Sequence, residues 1–329
     1  MTYLNACKTI LLAVAVSVFS LSANAQPRTV RAAIPAQNLT AIAFYVAQEK
    51  GYYRAEGLDV QLILMSAPVS AVALIGGDLE FSTAAGAAMT AAVRGAPLSF
   101  LFHTYYLPLY WLYVRPEIRN VAALKGRKIG VSGIGSGPYF LVQELLKKHG
   151  LETGRDVAIL TTGVQSASFA ALASGVVDAT SLSPPFMFKA QQAGFHELVA
   201  FVKEDFVELQ SAVVVRNELL KTDPELVEKF LRGTIKGLLY ARRVRSGTIP
   251  IVARLLKIDE ETAARSYDLY RSAMTSDGTV SKETQVRFMD EIAKRMKLKE
   301  SPAVENIFNY STSRKINRGI ESSGWKPSP

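Results

Sequence analysis

The stretch LKGRKIGVSGIGSGPYFLVQELLKKHG, residues 124–150, predicts a strand, a loop rich in glycine and serine, and a helix in succession. We expect the buried strand at 128–131, the loop at 132–137 and the helix from Pro138, capped by Ser136 or Gly137. The apolar face of this helix comprises Leu141, Val142, Leu145 and Leu146. The stretch therefore predicts a helix N-terminus at the carboxyl end of a strand, where backbone N–H groups can hold an anion.

Two nucleotide-binding motifs do not fit this loop. A dinucleotide fingerprint needs a glycine where Pro138 stands, and it needs an acidic residue at the end of the next strand, 157–161, which has none. A P-loop requires a Lys-Ser or Lys-Thr pair after the glycines, and the sequence has none there. The loop is therefore either an anion site or a structural turn, and its repetition elsewhere in the chain favours the site.

Residues 1–25 have the pattern of a cleaved export signal. Lys8 precedes the apolar run 10–21, and Ala23-Asn24-Ala25 supplies the cleavage pattern, so we expect the mature chain to start at Gln26 in the periplasm. The only cysteine, Cys7, lies within this segment. The mature protein is therefore expected to lack disulfides, thiolate metal sites and a cysteine nucleophile.

The charge pattern argues against a nucleic-acid partner. The 329 residues carry a formal net charge of +9, but the basic residues are spread along the chain. The densest basic spots, 242–245 and 294–297, fall on helical patterns without interleaved aromatic side chains, which favours solvated helix faces. The length suits two lobes better than one core.

An internal repeat divides the chain into two similar halves. The sequence ALIGGDLEF at 73–81 aligns with ALASGVVDA at 171–179, 98 positions further on. Each half shows the order strand, helix, strand, helix, strand, which predicts an α/β fold with parallel strands and crossover helices. Glu80 and Asp178 occupy equivalent positions, so we expect them to share a structural role and not to form a catalytic pair.

The remaining elements follow from apolar periodicity. Further strands are expected at 30–34, 60–64, 80–82, 98–102, 109–114 and 211–215. Further helices are expected at 41–50, 225–244, 251–256, 260–273 and 282–296. The tail after Tyr310 is polar and is expected to be irregular.

The stretch VAQEKGYYRAEGLDV, residues 46–60, resembles the helix–turn–strand signature of periplasmic solute-binding proteins of ABC transporters. The similarity is to the sulfonate, nitrate, taurine and thiamine-precursor type, the NMT1/THI5-like and SsuA-like group. The two repeats at 73–81 and 171–179, the stretch 124–131 and the sequence DGTV at 277–280 resemble this family as well. The match extends over residues 28–300.

The resemblance implies a type II periplasmic-binding-protein fold, in which two similar βαβ lobes close on a ligand cleft about a hinge and C-terminal helices follow. It implies a first lobe of residues 26–116 and 208–329, and a second lobe of residues 117–207. The hinge is then expected near 114–120 and near 206–211.

The resemblance also places ligand contacts in the loops at the carboxyl ends of the strands. The corresponding polar residues are Gln37, Asn38, Ser66, Thr83, Ser136, Tyr139, Gln165 and Ser183. The candidate aromatic walls are Tyr105, Tyr106, Tyr110, Trp111 and Phe186. Since none of these side chains is charged, the set fits either an anionic head group or a neutral polar ring.

The function implied by the resemblance is that of the substrate-binding component of an ABC importer, which captures a small organic solute and delivers it to a permease in the inner membrane. Sulfonate-like or carboxylate-like anions and pyrimidine-type rings both remain candidates for the solute. The resemblance implies a monomer without cofactor or catalytic activity. No metal site is expected, because His103, His149 and His196 are isolated in the sequence. The alternative is a pyrimidine-synthase-like enzyme of the same fold, which would need a pyridoxal-binding lysine and a cysteine-rich iron site.

Overall fold

The computed structural model describes residues 26–35, 37–134 and 136–328, so the expected export signal and its cleavage after Ala25 lie outside the described residues. The strands are β1 (Arg28–Ile34), β2 (Leu58–Leu64), β3 (Phe81–Ser82), β4 (Leu98–Tyr105), β5 (Trp111–Val114), β6 (Lys128–Val131), β7 (Ala158–Thr161), β8 (Ala179–Leu182), β9 (His196–Ala200) and β10 (Gln210–Arg216). The helices are α1 (Ile42–Glu49), α2 (Tyr52–Ala55), α3 (Ala67–Gly76), α4 (Ala85–Val93), α5 (Gly137–Lys148), α6 (Gln165–Ala173), α7 (Phe186–Gln192), α8 (Leu219–Thr222), α9 (Pro224–Arg243), α10 (Arg245–Leu256), α11 (Glu260–Arg271), α12 (Lys282–Met296) and α13 (Ser311–Ser322).

The strands form two five-stranded mixed sheets with the same plan. The first sheet has the order β2-β1-β3-β10-β4, and the second has the order β7-β6-β8-β5-β9. In each sheet the first three strands are parallel, as crossover helices require, and the last two are antiparallel to their neighbours. The predicted α/β fold with two similar lobes is confirmed.

The chain passes between the sheets at residues 106–110 and again at residues 204–209. The expected first boundary at residue 116 is wrong, because β5 pairs with β8 and β9 in the second sheet. The sequence suggested the wrong lobe because β5 follows β4 closely in the chain, whereas its antiparallel partners come much later. We call the two passages the first and second crossing.

The C-terminal helices pack on the first lobe. Helix α9 is 20 residues long and buries one broad face against α1. The two backbones approach closely at Gly237, where an added Cβ would collide with the carbonyl oxygen of Ala43 and lie 2.9 Å from the Cβ of Ala47. None of the helices in the described residues is both long and apolar enough to cross a bilayer.

The end of the chain forms a helix where an irregular tail was expected. Helix α13 buries Ile316 and Ile320, which lie one turn apart on the same face. Its buried polar side chains bond to the first lobe: Ser313 Oγ donates to the carbonyl oxygen of Leu101 at 2.5 Å, and Asn317 donates to that of Asp277 at 2.8 Å. The apolar stripe of this helix is too narrow to stand out in a polar sequence.

Candidate ligand-binding site

The two acidic residues of the repeat share a structural role, as predicted. Glu80 Oε2 accepts a hydrogen bond from the backbone N–H of Arg31 at 2.8 Å, and Asp178 Oδ2 accepts one from that of Lys128 at 2.9 Å. Each carboxylate also meets a nearby guanidinium, of Arg31 at 2.9 Å and of Arg127 at 3.3 Å. The two carboxylates therefore fasten the first strand of each repeat, and we call these contacts the strand clamps.

Helix α5 begins at the carboxyl end of β6, as the sequence predicts. The Ser136 hydroxyl caps it, donating to the carbonyl oxygen of Gly133 at 2.6 Å and accepting from the N–H of Tyr139 at 3.4 Å. The Tyr139 hydroxyl accepts a hydrogen bond from Gln143 at 3.0 Å. The predicted apolar face of the helix is buried, at Leu141, Val142, Leu145 and Leu146. Both site candidates on α5 therefore make local hydrogen bonds.

Three predicted site residues meet at the carboxyl end of β8. Gln165 Oε1 accepts hydrogen bonds from the backbone N–H of Ser183 at 2.8 Å and from its hydroxyl at 3.4 Å. The backbone N–H of Phe186 donates to the carbonyl oxygen of Ser183 at 2.9 Å. Gln165, Ser183 and Phe186 thus form one cluster in the second lobe.

Tyr105 connects the first lobe to this cluster. Its hydroxyl donates to the carbonyl oxygen of Leu39 at 2.9 Å, beside Asn38, whose side chain caps the short helix that follows it. The Tyr105 ring packs edge-on against Tyr270 of α11, with the ring centres 5.5 Å apart. Burial raises the pKa of Tyr270 to about 12, and the neighbouring Ser183 hydroxyl partly opposes this shift. Tyr270 therefore lies between the two lobes.

Two predicted site residues, Ser66 and Gln37, are exposed. Ser66 is exposed at the start of α3 and makes no capping hydrogen bond with any described residue. Gln37 is also exposed and lines a surface groove of about 370 Å³ between α1 and α10, together with Tyr45 and Arg254. The described residues that line this groove all belong to the first lobe. Both residues are therefore accessible to solvent.

Glu208 lies in the second crossing and was not among the predicted site residues. Its neighbours in the chain, Val207 and Leu209, are buried. The Glu208 carboxylate lies against Gly137, the first residue of α5, where an added Cβ would collide with the carboxylate and lie 3.1 Å from its Cδ. Burial raises the pKa of Glu208 to about 7, although the charge of Arg295 opposes the rise. A single acidic residue in an apolar stretch before a strand was the available sequence signal.

Tyr110 and Gln210 complete the junction around Glu208. Tyr110 immediately precedes β5. Because Trp111 pairs with Leu182 in the antiparallel strand β8, Tyr110 comes opposite Ser183. Burial, and after it the charge of Glu208, raise the pKa of Tyr110 well above its usual value. Gln210 begins β10, and its amide lies near enough to the Glu208 carboxylate to oppose the rise of that pKa. The two lobes therefore meet at Glu208.

The buried polar atoms without a hydrogen-bond partner among the described residues include Thr83 Oγ1, Ser181 Oγ, Glu208 Oε2 and Gln210 Nε2. Thr83, Ser181 and Gln210 are only 2%, 1% and 7% exposed. Each such atom costs roughly 1 to 3 kcal/mol when it is left without a partner, so each is a candidate for a bond that forms when the lobes move or a ligand enters.

His103 is a packing residue of the first lobe. Its Nδ1 lies 2.8 Å from the hydroxyl of Tyr310, and its ring stacks on Phe100 with the ring centres 5.7 Å apart. Burial lowers the pKa of His103 to about 3, so the imidazole is neutral near pH 7. In the part of the chain that the structure describes, no group of three or more His, Cys, Asp or Glu side chains is arranged to hold a metal ion.

The family model described as "NMT1/THI5 like" matches residues 38–243, more than half of the chain. The chain belongs to this family. The NMT1/THI5-like region contains both crossings and every residue of the junction except Tyr270, and it excludes Gln37. The resemblance found in the sequence is thereby confirmed.

A named relative of this NMT1/THI5-like chain is the riboflavin-binding protein RibY of Chloroflexus aurantiacus, which is 26% identical over 232 residues. The aligned part covers 65% of this chain and 63% of RibY, so the chain spans less than two-thirds of the length of that relative.

Solved structures share the fold of this NMT1/THI5-like chain at low identity. The periplasmic aliphatic sulphonate-binding protein SsuA of Escherichia coli superposes with a TM-score of 0.69 at 18% identity, covering 85% of this chain and 91% of SsuA. The desulfurization enzyme DSZB superposes with a TM-score of 0.65 at 16% identity, covering 89% of this chain and 99% of DSZB. The periplasmic-binding-protein fold expected from the sequence is confirmed, and at these identities the likeness concerns the fold alone.

Proposed function

We propose that this protein is the solute-binding component of an ABC importer and that it holds a small organic solute between its two lobes. The observation that carries the proposal is the junction, where two sheets that are joined by two crossings meet around Tyr110, Glu208 and Tyr270. Membership of the NMT1/THI5-like family supports it, as do a relative named for binding riboflavin and a structural neighbour named for binding sulphonates.

Two crossings of five or six residues allow the lobes to close on a solute. A solute that bonds to both lobes favours the closed arrangement by the difference between its affinities for the two states. Ser211 follows the second crossing with a φ of 51°, which is uncommon for a residue other than glycine. We assign the hinge to the crossings at 106–110 and 204–209, with this strained residue at the end of the second.

The ligand contacts in this proposal come from both lobes. The predicted residues that fit are Asn38, Thr83, Tyr105, Tyr110, Ser136, Tyr139, Gln165, Ser183 and Phe186, and we add Ser181, Glu208 and Gln210 to them. The protein acts in the periplasm as a monomer after cleavage behind Ala25, and it delivers the solute to a permease in the inner membrane. Mass spectrometry of the periplasmic fraction tests the cleavage, and a chain that retains Met1 there contradicts it.

An enzymatic role is the rival proposal, because the desulfurization enzyme DSZB has the same fold. The residues favour binding without turnover. His103 is enclosed and neutral, and the strand clamps engage Glu80 and Asp178 in separate sheets. Chromatographic recovery of the solute unchanged after prolonged incubation is the expected result, and conversion of the solute would favour the enzyme.

Ligand-dependent melting and solution scattering test the binding proposal together. A solute at a hundred times its dissociation constant is expected to add about 2.7 kcal/mol to the free energy of unfolding, which is a clear rise in melting temperature. The radius of gyration is expected to fall when the lobes close. A panel of sulfonates, carboxylates and nitrogen heterocycles that produces neither change would contradict the proposed function.

A further inference from the structure

Helices α11 and α12 are joined by a segment, residues 272–281, that is fastened to the first sheet. The backbone N–H of Thr275 donates to the carbonyl oxygen of Thr104 in β4 at 2.9 Å. The backbone N–H of His103, also in β4, donates to the carbonyl oxygen of Gly278 at 2.9 Å. Strand β4 leads directly into the first crossing. Both helices are therefore anchored to the first lobe close to the point where the chain leaves for the second.

Helix α11 reaches the second lobe at α7. The Cζ atom of Arg265 lies 4.3 Å from the ring centre of Phe188, and a guanidinium over an aromatic face is attracted to it. Phe188 is buried, whereas Arg265 is exposed. Burial raises the pKa of Tyr113 in β5 to about 12, the charge of Glu197 adds to the rise, and the charge of Arg265 partly opposes it. We call the pair of Arg265 and Phe188 the α11 contact.

Helix α12 reaches the second lobe at α5. The Cζ atom of Arg295 lies 4.9 Å from the ring centre of Phe140, in the first turn of α5. The Arg295 side chain is only 9% exposed, and its guanidinium also pairs with Glu291 at 3.2 Å. The Phe140 ring packs edge-on against the predicted ligand residue Tyr139, with the ring centres 5.4 Å apart. We call the pair of Arg295 and Phe140 the α12 contact.

The two contacts lie on opposite faces of the second sheet. Helix α5 connects β6 to β7 at the edge of this sheet, and α6 leads from β7 back past β6 to β8. Because crossovers between parallel strands are right-handed, α5 and α6 cover opposite faces. Helix α7 packs against α6. The first lobe therefore holds the second from both faces, with α12 on the face of α5 and α11 on the face of α7.

Both contacts depend on the lobes being together. Their aromatic rings lie on helices that follow β6 and β8, at the carboxyl ends where the candidate ligand residues also lie. A cation and a ring attract appreciably only within about 6 Å of each other. A hinge rotation that swings these strand ends away from the first lobe therefore breaks both contacts.

We propose that the α11 and α12 contacts hold the lobes in the closed arrangement, and that Arg265 and Arg295 are positioning residues that strengthen solute binding without touching the solute. This inference rests on the proposed solute-binding function. A solute that needs the closed arrangement binds more weakly when that arrangement loses a contact, because a smaller fraction of the protein is then competent to bind. Since the two contacts share no residue, their effects on the dissociation constant should multiply.

Cross-linking tests the α11 contact without any solute. Arg265→Cys is combined with Lys189→Cys, an exposed position next to Phe188, and the pair is joined by a short bismaleimide. The only natural cysteine, Cys7, lies in the expected export signal, so only the introduced thiols of the mature chain react. We expect linking within one molecule and a radius of gyration smaller than before linking. Failure to link would mean that the contact does not form, and linking without contraction would mean that it is permanent, so either result overturns the inference.

Calorimetry and dissociation kinetics with riboflavin and with ethanesulfonate measure the effect on binding. Arg265→Gln and Phe140→Leu should each weaken binding of whichever probe binds by roughly two- to thirty-fold, mainly through faster dissociation. The combined variant should show the product of the two effects. Phe140→Tyr keeps the ring and should bind as the wild type does. Arg318→Gln on the exposed face of α13 is the control for the loss of an arginine, and it should change nothing.

The outcomes separate this inference from the function on which it rests. Unchanged affinity in both Arg265→Gln and Phe140→Leu, or an equal loss in Phe140→Leu and Phe140→Tyr, would overturn the inference while leaving the binding function in place. Failure of both probes to bind the wild type would count against the proposed function, and the contraction of the cross-linked protein then decides by itself whether the contacts hold the lobes closed.

Discussion

The two lobes begin alike and then differ in what surrounds their first helix. In both, a parallel strand pairs with two others and is fastened by a carboxylate in the equivalent position. In the first lobe, α1 is enclosed by α9. In the second lobe, the start of α5 remains at the junction and meets Glu208.

The difference shows how one repeated unit serves two purposes. The repeat specifies strands, clamps and crossover helices, which need only local patterns and a buried face. The segments outside the repeat then decide which helix end is enclosed and which faces the junction. The C-terminal helices stabilise the first lobe. In the second lobe, Glu208 of the second crossing places a carboxylate at the start of α5.

The largest expected effect concerns the packing of the first lobe. Gly237→Ala places a methyl group against the carbonyl oxygen of Ala43, so α1 and α9 must separate. We expect a loss of about 3 kcal/mol in the free energy of unfolding, measured by denaturant titration. Gly319→Ala in α13 is the matched control, because an added methyl group there meets no described atom within 4 Å. A similar small change in both variants would mean that the first lobe does not depend on this contact.

A second prediction uses the buried histidine of the first lobe. Its folded-state pKa of about 3 lies below the usual value of 6.5, so the unfolded chain binds a proton that the folded protein excludes between these two pH values. As the pH falls from 6.5 towards 3, His103 should lower the free energy of unfolding by about 1.4 kcal/mol per pH unit. His103→Gln should remove this part of the acid dependence, whereas a variant with the wild-type slope would contradict it.

The two strand clamps should contribute equally to the stability of the protein. Glu80 and Asp178 have side chains that are each 21% exposed, and each accepts a hydrogen bond from a backbone N–H in the first strand of its repeat. Burial pushes the pKa of Glu80 upward, but the hydrogen bonds from Arg31 overcome it and lower that pKa. We expect Glu80→Ala and Asp178→Ala to cost about 1 kcal/mol each in thermal unfolding. Glu117→Ala, which removes an exposed carboxylate, provides the control. A clear difference between the losses of stability in Glu80→Ala and Asp178→Ala would mean that the two clamps are not equivalent.

The sequence predicted what depends on local patterns and missed what depends on distant pairing. The strand-loop-helix unit at α5 and the equivalence of Glu80 and Asp178 could be read directly from spacing. The sheet to which β5 belongs could not, because its partners β8 and β9 lie far along the chain. Glu208 was missed for a related reason. Its carboxylate lies against Gly137 at the start of α5, and the two residues are distant in the sequence. Helix α13 was missed because its apolar stripe is narrow.

The smallest expected effect concerns the cap of α5. Ser136→Ala removes a hydrogen bond of 3.4 Å, and Ser136→Asp can still cap the helix but adds a negative charge beside it. If the ligand carries no negative charge at this helix end, the added charge meets no ligand charge, and the two variants should bind the ligand found in the melting screen within about three-fold of each other. An anionic head group at this helix end would instead make the aspartate variant bind far more weakly than the alanine variant. Calorimetry on both variants, at matched melting temperatures, decides between a helix end that holds the ligand and one that supports the protein's own carboxylate.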